Sequence, residues 1–243
     1  MKKVLLVTGA SSDIGRSYIS EYANRYDKIV GTYYTNRDCL EELQKDLGDK
    51  LEIYPLNLLD EDTVDRFCDF LTEQELLPGY MLHLPAQKTD MIRASELDSR
   101  QIRSDLEIST VSFLRLLRPI LSDMTQKQFG RICCMLSSVT ENAVSFMSSY
   151  TISKYALLGA VKALAAEYAG KRITVNAVSP SMVDTKFVAD KPAFVKKKNL
   201  EMVPIKRLAV PEDVTRAMAF LLEDGNEYIT GENFLIAGGS IIS

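Results

Sequence analysis

The chain has 243 residues and a formal net charge of -4, with hydrophobic and charged fractions ordinary for a globular protein. Its length suits one large α/β domain with a substantial core, and its slight acidity argues against a nucleic-acid or anionic-membrane partner. No apolar run approaches the roughly 20 residues of a membrane span. The opening Met1-Lys2-Lys3-Val4-Leu5-Leu6-Val7 is too brief for the h-region of a signal peptide, so a cytoplasmic location is expected.

Residues 3–7 read as a compact apolar strand that runs directly into Thr8-Gly9-Ala10-Ser11-Ser12-Asp13-Ile14-Gly15 and a helix through about Tyr26. A strand, a small-residue turn and a helix together present backbone N–H groups and a helix N-terminus to a phosphate. A strand over 29–33, a helix over 38–47 and a strand over 51–56 follow. Next come a helix over 63–76, ending before Pro78-Gly79, and a short buried strand over 81–84. Such alternation predicts a parallel sheet.

A long helix over 99–124 is expected to kink at Pro119. A strand over 132–136, a helix over 150–169, a strand over 173–178, a helix from Pro211 to about Leu222 and a strand over 234–237 complete the pattern. Residues 180–207 interrupt it, with Lys186, Lys191, Lys196, Lys197 and Lys198 and no clear period. An interruption of that length reads as a lid or binding loop. With no internal repeat and no linker, residues 1–243 are expected to form one domain.

Four cysteines give no metal pattern. Cys39 and Cys68 fall in predicted helices, whereas Cys133 and Cys134 are adjacent on a predicted strand and face opposite sides. All four read as buried reduced thiols. The single histidine, His83, supplies neither a metal site nor a Ser-His-Asp triad, which leaves it a pocket-lining role.

The stretch with chemical content is Ser137 to Lys154. Tyr150 and Lys154 are four residues apart, so on a helix both project from one face. A neighbouring cation favours a phenolate and brings a tyrosine, whose pKa is about 10, closer to working range as a proton carrier. Ser137, at the end of an apolar strand, is placed to hydrogen-bond the oxygen that gains or loses the proton. A lone Tyr-x-x-x-Lys also arises by chance on an ordinary helix, so its neighbours must decide.

Several motifs now stand in a fixed order. They are the first βα turn, the Ser137/Tyr150/Lys154 set, Gly130-Arg131-Ile132, Ile173-Thr174-Val175-Asn176-Ala177-Val178-Ser179-Pro180, Val183-Asp184-Thr185, Arg207 to Val214, and the closing Gly238-Gly239. Over essentially its whole length the chain resembles the short-chain dehydrogenases/reductases, and among them the 3-oxoacyl-carrier-protein reductase-like group. The resemblance implies a Rossmann-like, doubly wound parallel sheet in a three-layer α/β/α arrangement, with NAD(P) at the carboxyl ends of the strands. It implies that Tyr150 is the general acid/base, that Ser137 orients the carbonyl, and that Lys154 lowers the phenol pKa and holds the nicotinamide ribose. Ser138 is the competing serine. The turn residues Thr8, Gly9, Ser11, Ser12, Asp13, Ile14 and Gly15, with Ala86, Pro180, Val183 and Thr185, are implied to line the cofactor.

The departures from the family pattern are specific. Asp13 stands at the middle glycine of the turn, where a carboxylate either repels a pyrophosphate or points away and caps the helix. Leu84-Pro85-Ala86-Gln87 stands where the family has Asn-Asn-Ala-Gly, and Ser181 replaces the glycine after Pro180. The family's assisting asparagine aligns with Ser109, or with Ile108 after a slip of one, so a proton relay there needs Ser109 or water. Asn57 stands at the adenine-contacting position, with a turn role equally open. Arg37, with no acid before Asp38, is either a ligand for a 2′-phosphate or a solvated side chain. NADP is therefore preferred as cofactor and NAD remains possible.

The expected function is reduction of a ketone to a secondary alcohol, on a substrate that is a 3-oxoacyl thioester, a sugar, a polyol or a cyclic ketone. Lys171 and the lysines of 186–198 either dock an acidic carrier protein or substrate or are simply solvated. The altered turn, the Leu84–Gln87 segment and the missing asparagine motivate an alternative, a relative without turnover that serves as a binding or scaffold subunit. A nucleotide-sugar epimerase or dehydratase is disfavoured, because the chain lacks room for a larger substrate domain. The small apolar run of Gly159 to Tyr168, with Ala160, Ala163, Leu164 and Ala166, is expected from the resemblance to pack in a homo-oligomer, a tetramer or a dimer.

Overall fold

Strand alternation generates the layers. The structure, a computed structural model, describes residues 2–88 and 91–242. Along β1 (Val4–Thr8), Val4 and Leu6 enter one apolar cluster while Leu5 and Val7 enter another. A strand apolar on both faces needs cover on both, which is the condition for a parallel sheet. β2 (Lys28–Tyr33), β3 (Leu51–Pro55), β4 (Tyr80–His83), β5 (Gly130–Met135), β6 (Ile173–Pro180) and β7 (Asn233–Ile236) complete it. Every pairing is parallel, in the order β3-β2-β1-β4-β5-β6-β7.

Helices α1 (Asp13–Tyr22), α2 (Asp38–Leu47) and α8 (Pro211–Leu221) cover the face of Leu5 and Val7. Helices α3 (Glu61–Glu73), α5 (Ser112–Lys127) and α6 (Ser148–Tyr168) cover the other. The result is a Rossmann-like α/β/α sandwich. Strand order reverses at β1, with β2 on one side and β4 on the other, so a crevice opens between the carboxyl ends of β1 and β4.

Two expected elements are corrected. The helix expected over 99–124 is a continuous helical run made of α4 (Ser99–Leu106), a π-helical turn at Glu107–Val111 and α5, with Pro119 inside α5. The irregular turn thus contains Ser109. Its wide turn leaves the Ser109 carbonyl to accept from His83 Nε2 at 3.1 Å. The segment 180–207 contains a helix, α7 (Ala193–Met202), which buries none of its residues and so shows no apolar period in the sequence.

Two smaller points concern side chains. Within the small apolar run of α6, Leu164 is a core residue, whereas Gly159, Ala163 and Ala166 are exposed. Cys133 and Cys134 face opposite layers, and burial pushes the Cys134 thiol up to about 12.

Arg131 ties the amino ends of this half of the sheet together. It is fully buried and donates to the carbonyls of Gly130 (2.9 Å), Arg172 (3.0 Å), Glu223 (3.2 Å) and Asp224 (2.7 Å). Its guanidinium also lies 4.6 Å from the centroid of the Phe129 ring. Replacing it leaves several carbonyls without a donor in a dry setting. Arg131→Met is expected to lower unfolding stability by about 3–5 kcal/mol in urea denaturation, with little change in the contents of helix and strand.

Candidate active site

The first βα turn is built by one glycine of unusual conformation and one of close packing. Gly9 has φ +72°, a backbone region that favours glycine. A Cβ on Gly15 would stand 2.7 Å from the Ala10 carbonyl oxygen, so only glycine lets α1 start this close to the turn. The helix is capped by Ser12, whose Oγ accepts from the Gly15 N–H at 3.1 Å.

Asp13 is therefore not the cap. Its carboxylate accepts from the Arg16 guanidinium at 2.6 Å and from the Lys186 backbone N–H at 2.6 Å. The charge is neutralised locally by Arg16, and the side chain joins the turn to the segment after β6. Backbone donors and a capped helix N-terminus thus fit a bound pyrophosphate, and the substituted glycine does not oppose it.

Beside the turn lies a cavity of about 250 Å³ lined by Ser11, Arg16, Thr35, Asn36, Arg37 and Lys186, among others. Asp38 also lines it and Arg16 is paired with Asp13, which leaves Arg37 and Lys186 as the cations that fit an anionic group such as a phosphate. Arg37 also pairs with Glu41 at 2.8 Å on the exposed surface. At the end of β3, Asn57 Oδ1 accepts from the Leu59 N–H at 3.1 Å, the turn role foreseen as an alternative. Across the crevice, Pro85 packs against Gly9, its nitrogen 3.4 Å from where a Cβ on Gly9 would stand. Ala86 is half-buried beside it, and Gln87 Oε1 accepts from Ser104 Oγ at 2.8 Å.

The reactive set converges at the carboxyl end of β5. Ser137 is extended and starts the loop after the strand, and its hydroxyl acts on the Tyr150 phenol, lowering it. Ser137, rather than Ser138, makes this contact. Lys154 is buried to 1% exposure, donates to the Met135 carbonyl at 2.8 Å and lies 5.7 Å from the centroid of the Tyr150 ring.

Burial raises the Tyr150 phenol above its ordinary range, the Ser137 hydrogen bond opposes the rise, and the Asp105 charge adds to it. Lys154 is itself depressed to about 8 by burial, against which the fields of Cys134 and Asp105 work.

Ser109 is engaged elsewhere. Its Oγ contacts Thr110 Oγ1 at 3.1 Å and the Ser153 carbonyl at 3.4 Å, so the structure does not bring it to Tyr150. His83 lines no pocket: fully buried, it bridges Thr8 Oγ1 (2.8 Å) and the Ser109 carbonyl, and burial pulls it down to about 3. At the end of β6, Pro180 and Val183 are buried, and Thr185 Oγ1 donates to the Val183 carbonyl at 3.3 Å. The sequence reading missed Asp105 and Ser149, because a polar pair on two separate helices has no signature in spacing.

Fold and site define an α/β protein of Rossmann-like topology with a Ser-Tyr-Lys cluster at the carboxyl edge of the sheet. A family model described as enoyl-(acyl carrier protein) reductase matches residues 9–240, and the chain belongs to the short-chain dehydrogenase/reductase family of oxidoreductases. It is 31% identical to the uncharacterized oxidoreductase YmfI of Bacillus subtilis, covering 98% of this chain and 99% of that one. It is 28% identical to the 3-oxoacyl-[acyl-carrier-protein] reductase FabG of Escherichia coli, covering 98% and 96%. Among solved structures, YwfH, an NADPH-dependent reductase involved in bacilysin biosynthesis, superposes with a TM-score of 0.90 at 22% identity over the whole of both chains.

The buried lysine has a stability signature. Its folded value of about 8 lies below the ordinary 10.5, so the folded state binds fewer protons between these pH values. The cost of burying the charge is full below about pH 8 and fades as pH rises to 10.5. Lys154→Met is expected to stabilise the protein by about 1–3 kcal/mol at pH 7. The gain should vanish near pH 10.5 in denaturant titrations at the two pH values.

Proposed function

We propose that the protein is an NADPH-dependent carbonyl reductase that converts a ketone to a secondary alcohol, with Tyr150 as general acid. The observation that carries this reading is the convergence of Ser137, Tyr150 and Lys154 at the edge of the crevice beside the phosphate-binding turn. Reduced nicotinamide, when bound, supplies the hydride. Tyr150 holds the proton to be delivered to the carbonyl oxygen, and the raised phenol keeps that proton at neutral pH. Ser137 donates to the same oxygen and holds the carbonyl in place. Lys154 offers its remaining N–H donors to the ribose hydroxyls.

NADPH is proposed over NADH because Arg37 and Lys186 line the cavity beside the turn. A 3-oxoacyl thioester is the proposed substrate class, supported by the FabG relatives. It is also supported by the exposed apolar residues Phe194, Met202 and Ile205, beside the basic Lys196, Lys197 and Lys198, in the segment 180–207. In this reading that segment is a substrate lid, tied to the turn through Asp13 and Lys186.

Lys171 lies beyond the far end of α6, roughly 25 Å from Lys154 at the rise of a helix. A carrier docked there would sit at the other edge of the sheet from Tyr150 of the same chain. The exposed Val111, Leu114, Ile152 and Tyr155, next to Gly159, Ala163 and Ala166, support self-association through α5 and α6. Against the scaffold alternative, the Asp13 carboxylate is paired with Arg16 and the Lys186 N–H, while the Leu84–Gln87 segment and the missing asparagine still motivate it.

Tyr150→Phe is expected to lower kcat/KM for ketone reduction by about 10²–10⁴-fold while NADPH binding in calorimetry stays near wild type. Retained turnover would remove Tyr150 from the acid role. NADPH is expected to bind more tightly than NADH, and Arg37→Ala to weaken NADPH by about tenfold while leaving NADH unchanged. Failure of both nucleotides to bind would favour the scaffold reading.

A further inference from the structure

The cations around the cavity beside the turn are not equivalent. Arg16 is paired with Asp13 at 2.6 Å and Arg37 with Glu41 at 2.8 Å. Among the described residues, no acid lies within 4.0 Å of the Lys186 ammonium. Asp38 also lines the cavity, so an anion there depends on a cation that is not already committed. Lys186 is that cation.

Its backbone is held while its side chain is free. The Lys186 N–H donates to Asp13 Oδ2 at 2.6 Å, and the Asp13 side chain is only 17% exposed. A charge-assisted bond in that setting is stronger than a solvated ion pair. A second polar tie of the segment, Lys88 to Asp190 at 2.5 Å, has both partners exposed and contributes little. The Asp13 bond is therefore the stronger hold on the segment.

From Lys186 the constraint runs on along the chain. The Val188 N–H donates to the Thr185 carbonyl and the Lys191 N–H to the Val188 carbonyl, each at 3.1 Å, so residues 185–191 form successive tight turns. Lys196 Nζ, on α7, donates to the Ala189 carbonyl at 2.9 Å. Because α7 buries none of its residues, its placement depends on that bond and on flanking anchors such as the buried Val188 and Val203.

We propose that Lys186 couples the phosphate cavity to the lid, an inference that rests on the reading of the cavity as a cofactor phosphate site and of 180–207 as the lid. When its ammonium engages a phosphate while Asp13 holds its N–H, Lys186 is fixed at both ends. Residues 185–191 are then fixed with it, and α7 through them. Thr35, Asn36 and Arg37 place the cavity beyond the end of β2, where a dinucleotide presents its adenosine ribose, so the phosphate is the 2′-phosphate. Lys186 thus fastens the lid when NADPH is bound and not when NADH is bound.

Backbone amide hydrogen exchange of the full chain, read by mass spectrometry, tests both ends of the link. Without nucleotide, Asp13→Gly should speed exchange of residues 186–191 about tenfold, while Asp13→Asn, which keeps an acceptor, stays near wild type. An unchanged rate in Asp13→Gly, or an equal acceleration across β5, overturns the role of Asp13. Saturating adenosine 2′,5′-bisphosphate should slow exchange of residues 187–202 in the wild type by about fivefold, and AMP should not. Lys186→Gln should abolish that slowing.

NADPH and NADH separate the phosphates within the intact cofactor. Slowing of the lid by NADPH alone supports the 2′-phosphate as the group that Lys186 reads, whereas equal slowing by both assigns the effect to the pyrophosphate and overturns it. Calorimetric binding of NADPH with no change in lid exchange overturns the coupling and leaves the reductase reading intact. Binding of neither nucleotide overturns both.

Discussion

Much of this site depends on one interaction, the hydrogen bond from the Lys154 ammonium to the Met135 carbonyl at 2.8 Å. It holds a positive charge under the carboxyl edge of the sheet, in a place where burial works against charge. The same bond pins α6 to the end of β5, so that Tyr150, one helical turn earlier, meets the Ser137 hydroxyl that follows the strand. A buried cation of this kind is a poor device for stability and a good one for function. It holds donors ready at the mouth of a crevice that the strand order has already opened.

The polar layer around that lysine ties several elements together. His83 spans from Thr8 on β1 to the released carbonyl of the π-helical turn, which ties the switch point of the sheet to the α4–α5 run. Ser109 turns its hydroxyl to Ser153 on α6. Thr140 bonds the Ser137 carbonyl and contacts Ser179 on β6, so the loop carrying Ser137 is braced against that strand. These contacts leave little freedom for the reactive side chains, and preorganisation of that kind is where a proton-transfer site draws its rate.

Asp13 shows how a motif can change a residue and keep its geometry. The glycine it replaces is needed only where a side chain would intrude on the ligand. Here the carboxylate leaves that space, bonds Arg16 and receives the Lys186 N–H. The exchange adds a tie between the turn and the segment after β6 that a glycine could not make. Gly9 and Gly15 admit no such exchange, one because of its φ of +72° and the other because a Cβ would meet the Ala10 carbonyl at 2.7 Å.

The sequence by itself determined the alternation of strands and helices, the parallel sheet, the small-residue turn and the Tyr150/Lys154 pair. Each of these is a local period or spacing that the backbone reads directly. The opposite facing of Cys133 and Cys134 followed in the same way. Tertiary structure alone decided that the long helix takes a π-helical turn at Glu107–Val111 whose Ser109 carbonyl accepts from the distant His83. It alone decided that Ser12 caps α1, that Asp13 reaches Lys186, and that Arg131 collects four carbonyls from three separate segments. Asp105 and Ser149 meet across two helices that lie 44 residues apart in the chain. Such contacts carry no periodicity. They exist only once packing has brought charges and donors into a space from which water is excluded, and there each partner is chosen by what else is buried beside it.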